Sequence, residues 1–281
     1  MVDIAVIGSN GMLGSKFVQK LSRAESSFIG LDLAEIDITN PDTYTVLKEN
    51  MPRIIVNCAA YTAVDQAEAE SEKAFSINAQ GPAKLAEFCK GNNILLVHYS
   101  TDYVFNGQKA EGYSELDACD PINVYGASKY AGETNIQRIM DNQGYLILRT
   151  AWLYGEGGKN FVTTITRLAG SQNVIKIVSD QRGCPTYTGD LVDWTLALIK
   201  NNCRGLYHAV NSGNCSWYEF AKEIVKKTKS NCSVEPILAK DYVTKATRPS
   251  FSILNNQKLS SDINYTPRKW QEALSEYPMS L

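Results

Sequence analysis

The stretch VDIAVIGSNGMLG, residues 2–14, joins a short apolar run to three glycines spaced GxxGxxG. An apolar run of this length, bounded by a glycine turn, reads as a buried strand. Gly8 lets the chain turn, Gly11 lets backbone approach a pyrophosphate, and Gly14 lets the next helix pack closely on the sheet. The helix N-terminus then faces the phosphates with its free N–H groups. Asn10, Met12 and Leu13 complete this loop, so Gly8, Asn10, Gly11, Met12, Leu13 and Gly14 are expected to bind a dinucleotide.

Asp32 lies 18 residues beyond Gly14, just past the second apolar run. A carboxylate there accepts hydrogen bonds from a ribose diol and repels a 2′-phosphate. No arginine immediately follows to offset that repulsion, so the expectation leans to NADH over NADPH. Asp37 and Ile38 are placed to present a carboxylate and an apolar side chain to adenine.

Working outward, residues 2–7, 28–31, 54–57, 94–100 and 146–148 read as strands. Residues 13–21, 67–89 and 125–140 carry apolar side chains at helical spacing. This alternation predicts an α/β, Rossmann-like fold: a mostly parallel sheet with helices on both faces. In the second half, 174–178 and 206–210 read as strands, and 161–168, 187–199 and 217–226 as helices. Ser216 is an expected N-cap. Residues 231–264 are polar, broken by Pro236 and Pro249, and resist assignment. Residues 1–150 are expected to form the dinucleotide-binding core with the catalytic residues. Residues 151–281 are expected to add the remaining core elements and a smaller substrate lobe.

Sites in such folds lie beyond the carboxyl ends of strands. The third strand runs into Ala59, Ala60 and Tyr61, whose small leading residues permit close approach of backbone to a cofactor. The fourth ends in Ser100, Thr101 and Asp102. Beyond it, PINVYGASKYAGE places Tyr125 and Lys129 one helical turn apart on one face. A free phenol titrates near 10, too high for acid–base work at neutrality. An ammonium beside it is expected to lower that value. Lys129 has donors for ribose hydroxyls as well. A hydroxyl from Ser100 or Thr101 can polarise a substrate carbonyl while Tyr125 delivers a proton. His98 and His208 read as packed side chains. The carboxylates form no evident metal cluster, and no metal is expected.

Composition narrows the classes further. The 281 residues include 44% hydrophobic and 21% charged side chains, enough for a substantial core. With net charge −2 and no basic block, nucleic acid and a polybasic membrane contact are not expected. No run is long and apolar enough to span a bilayer. The N-terminus lacks the features of a secretory signal. Seven scattered cysteines with no CxxC pair point to free thiols and a cytoplasmic protein.

GSNGMLG, NCAAYTAVDQAE, YSTDYVFNG and PINVYGASKYAGE resemble the extended short-chain dehydrogenase/reductases. RTAWLYG at 149–155 and RPSFSILNNQKL at 248–259 resemble, more narrowly, the dTDP-4-dehydrorhamnose reductase family. The resemblance covers nearly the whole chain. It implies reduction of the C4 ketone of dTDP-4-dehydro-L-rhamnose by NADH or NADPH in dTDP-rhamnose and cell-surface polysaccharide biosynthesis. It implies the triad Thr101, Tyr125 and Lys129. It also implies a nucleotide-sugar site that uses Thr101, Asp102, Tyr125, Trp152, Asn160 and Arg248. Residues 180–190 resemble the loop that shapes the substrate side. Some relatives form a magnesium-linked dimer through a glutamate where this chain has Lys16, so that dimer is not expected and the oligomeric state stays open. Other sugar-nucleotide reductases or epimerases use the same triad. A regulatory subunit of a methionine adenosyltransferase shares this overall form without turning over a sugar.

Overall fold

Residues 4–7, all four buried, form β1 (Ile4–Ile7), the second strand from one edge of a six-stranded sheet. The protein is described from a computed structural model over residues 2–24, 26–141 and 144–279. Four further strands follow in sequence: β2 (Phe28–Leu31), β3 (Ile54–Asn57), β4 (Leu95–Thr101) and β5 (Tyr145–Thr150). The strand Gly205–His208 completes the sheet beside β5. The spatial order is Gly205–His208, β5, β4, β3, β1, β2, and every pairing is parallel.

All residues of β4 and β5 are buried, which explains their continuous apolar reading. Val6, Val97 and Leu148 meet Phe17 and Leu191 on one face. Ile7, Leu96 and Ile147 meet Leu85 and Ile136 on the other. β2 and β3 flank β1 on opposite sides, so the chain changes direction there and leaves a crevice at the carboxyl ends.

The chain after residue 150 serves both halves. Its Thr188–Lys200 helix and Gly205–His208 strand complete the main sheet. A separate core of Tyr154, Ile165, Phe220, Ile224 and Trp270 supports the smaller lobe. There Val174–Val178 pairs in parallel with Ser233–Ile237, a strand inside the segment that resisted assignment. Ser216 caps the helix Trp217–Thr228 through a capping box with Glu219.

The expected helix over 67–89 is a correction. The chain forms Val64–Ala67, Ser71–Phe75, a π-helical turn Ser76–Gln80, and then Gly81–Asn92. Asn78 lies in the π turn. Its amide bonds both backbone groups of Tyr61 (2.8 and 3.0 Å) and the Ser128 hydroxyl (3.0 Å). Pro82 lacks the N–H that a regular helix would need there, and the wider turn accommodates it.

Candidate active site

The glycine loop is shaped by what it excludes. Gly8 has φ +77°, and a Cβ on Gly14 would lie 2.0 Å from the Gly8 carbonyl oxygen. Side chains at these positions would fill the cradle and push away the helix Met12–Arg23, so the residues present fit a pyrophosphate at its N-terminus. A cleft of about 540 Å³ opens beside the loop, lined by Gly8, Gly11, Asp32, Asp37, Ile38, Ala59 and Ala60 among others. Asp32 accepts from the N–H groups of Asn10 (2.9 Å) and Leu33 (2.8 Å). The Glu35 carboxylate accepts from the Asp32 N–H at 2.9 Å, so a second negative charge borders the same position.

Several expected contacts are revised by the packing. The Leu13 side chain is buried in the sheet core, leaving only its backbone to the loop. Met12 instead lies against Asn160, whose amide nitrogen is 3.6 Å from its sulfur. Asp37 accepts from both the N–H and hydroxyl of Thr39 (2.8 and 2.7 Å), so its carboxylate is already engaged. Ile38 is buried among core residues. The Tyr61 hydroxyl donates to Glu70 at 3.2 Å.

The helix Val124–Met140 carries Tyr125 and Lys129. Its N-cap, Asn123, accepts from Gly126 N–H at 2.7 Å and donates to the Thr247 carbonyl at 2.9 Å. Glu68 accepts from the Val124 N–H at 2.9 Å. The Tyr125 ring meets Tyr103 edge-on, with centroids 5.8 Å apart. Thr101, at the end of β4, is hydrogen-bonded to the Tyr125 phenol. Residues alternate sides along a strand, so Ser100 points the other way. This separates the two hydroxyls that sequence alone left open.

The expected effect of Lys129 on Tyr125 is also a correction. Burial pushes the phenol up to about 12, against a smaller downward pull from Thr101. The buried Lys129 side chain turns to the Tyr99 carbonyl at 2.5 Å and His98 Nε2 at 3.3 Å. Its own pKa falls to about 8 because burial disfavours the charge, with Glu133 opposing. A phenol held protonated is nevertheless the form in which a proton donor must start.

Asp102 is buried beside Thr101, and burial raises it to about 6. Thr101 donates its hydroxyl proton to Asp102 Oδ1 at 3.0 Å and accepts from the Tyr103 N–H at 3.2 Å. With Asp102 ionised, the Thr101 proton faces the carboxylate and not the cleft.

On the substrate side, Trp152 adopts φ +47°, an uncommon conformation for a bulky residue. Trp217 covers one face of its ring at 3.4 Å, nearly parallel at 6°. That face is therefore unavailable for stacking. Trp217 in turn lines a cavity of about 440 Å³ with Phe161, Lys176, Tyr242 and Arg248. Asn160 caps the helix Phe161–Ala169, and its amide donates to the carbonyls of Gly155 (2.9 Å) and Gly158 (3.2 Å). Both amide donors are thus held within the loop. Arg248 is gripped by Asp65. Lys16 pairs with Glu156 at 2.9 Å within this chain.

Asn78, Asp65, Trp217 and Glu68 were missed in the sequence. Asn123 carried a readable signal, because an asparagine just before a helical pattern is an N-cap signature.

A glycine-loop sheet carrying a Thr/Tyr/Lys set at the end of β4 defines the class, a short-chain dehydrogenase/reductase. The model described as RmlD substrate binding domain matches residues 2–280. The spore coat polysaccharide biosynthesis protein SpsK of Bacillus subtilis (strain 168) is 38% identical, over 99% of this chain and 97% of the relative. A dTDP-4-dehydrorhamnose reductase of Aggregatibacter actinomycetemcomitans is 36% identical, over 98% of this chain and 97% of the relative. The crystal structure of dTDP-4-dehydrorhamnose reductase from Bacillus anthracis str. Ames, in complex with NADP, superposes with TM-score 0.94 at 40% identity, covering 99% of both chains. The chain belongs to the RmlD substrate binding domain family.

Proposed function

We propose that this protein reduces the C4 ketone of dTDP-4-dehydro-L-rhamnose to dTDP-L-rhamnose with NADH or NADPH. The observation that carries this reading is the meeting of Thr101, buried at the end of β4, with the half-buried Tyr125 on the helix that also holds Lys129. When bound, the nicotinamide supplies hydride. Gly8, Gly11 and Gly14 hold its pyrophosphate by close backbone approach, and Asp32 binds the adenosine ribose. Tyr125 holds the proton that passes to the ketone oxygen, and Thr101 orients the phenol. Lys129 secures the nicotinamide ribose. Burial keeps bulk water from competing for these groups.

Arg248 is the diphosphate ligand, entering from the wall of the cavity beside Trp217 with its guanidinium fork. Trp152 supports the sugar side through its edge, since Trp217 covers one face. Asp32 and Glu35 together favour NADH. Among the described residues no helix is long and apolar enough to cross a membrane. Seven free thiols suit the reducing cytoplasm.

The test is NAD(P)H oxidation with dTDP-4-dehydro-L-rhamnose generated in situ. Stoichiometric oxidation with dTDP-L-rhamnose as product is expected. Active upstream enzymes with no oxidation would end the substrate assignment.

A further inference from the structure

His98 lies on β4, three residues before Thr101, and is 1% exposed. Its two ring nitrogens face different partners. Nδ1 is 3.1 Å from Asn57 Nδ2, and Nε2 is 3.3 Å from Lys129 Nζ.

The backbone fixes the direction of the Asn57 amide. The Ala59 N–H donates to one Asn57 side-chain atom at 3.1 Å, and that atom must be the oxygen. The nitrogen therefore faces His98, and Nδ1 must accept. A neutral imidazole that accepts at Nδ1 carries its proton on Nε2. That N–H points at Lys129.

An ammonium has three donors and no lone pair, so it cannot accept from Nε2–H. The other imidazole tautomer moves the conflict to Asn57, where two donors would meet. While Lys129 is charged, one of these contacts is donor against donor. When Lys129 is a neutral amine, every contact matches. His98 donates to Nζ, Asn57 donates to Nδ1, and Nζ donates to the Tyr99 carbonyl. Burial of Lys129 acts in the same direction.

The other groups around Lys129 leave this balance in place. Glu133, on the same helix, favours the charge, but its carboxylate is bonded to Arg149 of β5 at 2.7 and 3.0 Å. The Cys58 thiol, past the end of β3, is half-buried and held protonated. Tyr125, on the same helix, is bonded to Thr101. Asn57 and the Tyr99 carbonyl are uncharged.

We propose that His98, locked in one tautomer by Asn57, is a positioning residue that sets the charge state of Lys129 by stabilising its neutral amine. The lysine is thereby able to exchange a proton in the working range instead of remaining a fixed cation. The bearing on turnover rests on the reductase reading; the charge state itself does not.

The test follows the Lys129 side-chain ¹³Cε resonance against pH in the purified full-length chain without substrate. Two variants report on the same contact. In His98→Gln the amide oxygen can turn to Lys129 and accept from the ammonium. In Asn57→Ser the constraint on Nδ1 is removed, and Nε2 becomes free to accept. Each is expected to raise the Lys129 midpoint by about one pH unit, tenfold in its protonation equilibrium. A His98 that only fills space would leave the midpoint of Asn57→Ser where it stands in the wild type. That result would overturn the proposal even if His98→Gln failed to fold. In turnover, the alkaline limb of the kcat/KM profile should move up with the midpoint in both variants. Wild-type inactivity on the ketosugar, with the midpoint shifts present, would instead count against the substrate reading alone.

Discussion

Arg248 and Asp65 meet fork to fork, with Nη1–Oδ1 at 3.2 Å and Nη2–Oδ2 at 2.8 Å, although 183 residues separate them. Asp65 Oδ1 also accepts the Ala246 N–H at 3.1 Å. The Tyr103 hydroxyl bonds to Arg248, and Asn123 holds the Thr247 carbonyl. The segment that walls the cavity beside Trp217 is therefore tied to the half of the molecule that carries the glycine-loop cleft. A hydrogen bond to a charged group contributes about 1.5–3 kcal/mol. Asp65→Asn is thus expected to raise KM for the nucleotide sugar by roughly 10- to 100-fold while kcat stays within a few-fold. Steady-state kinetics at saturating NADH separate the two. A fall confined to kcat would place Asp65 in the chemistry and refute a role in binding.

That contact also marks where the sequence became unreadable. β1, the glycine loop and Asp32 announce themselves by local pattern, since an apolar run, a turn and a helix start are set by neighbouring residues. The Tyr125–Lys129 spacing is local in the same way. The direction of the lysine is not, because it depends on a carbonyl and an imidazole on β4. The break in the expected 67–89 helix depends on Asn78 reaching Ser128, 50 residues away. Arg248 is expected only as part of the nucleotide-sugar site, because nothing near it in sequence reveals Asp65.

Tyr125→Phe removes the proton and keeps the ring that meets Tyr103. Turnover should fall by about 10²–10⁴, the range for losing a positioned acid. NADH affinity, measured by fluorescence titration, should stay near wild type. Near-normal turnover would mean that another group supplies the proton, and would sink the catalytic assignment.

Two carboxylates border the corner of the glycine-loop cleft proposed to take the adenosine ribose. Asp32 takes two backbone N–H groups, and Glu35 takes the Asp32 N–H. A unit charge about 4 Å from another is worth roughly 1–4 kcal/mol between water-like and protein-surface screening. Glu35→Gln should therefore shift the NADPH/NADH ratio of kcat/KM toward NADPH by about tenfold, and Asp32→Ala with Leu33→Arg further. Raising the salt concentration should shrink the Glu35 effect. An unchanged ratio in both variants would remove this corner from ribose recognition.

Asp102 carries a stability consequence with a definite sign. Burial raises its folded pKa from the ordinary carboxylate value of about 4 to about 6, with hydrogen bonds from Ser252 and Thr101 opposing the shift. Between those values the folded chain keeps a proton that the unfolded chain releases. Ionisation therefore costs stability, a cost absent below about 4 and complete above about 6. The shift corresponds to roughly 3 kcal/mol. Asp102→Asn keeps an oxygen for the Thr101 hydroxyl and removes the ionisation. It should exceed wild type in urea unfolding free energy by up to that amount at pH 8, with the gap closing as pH falls to 4. A gap that does not change with pH would show that Asp102 ionises at its ordinary value. The wild-type carboxylate would then be held charged by contacts that compensate its burial.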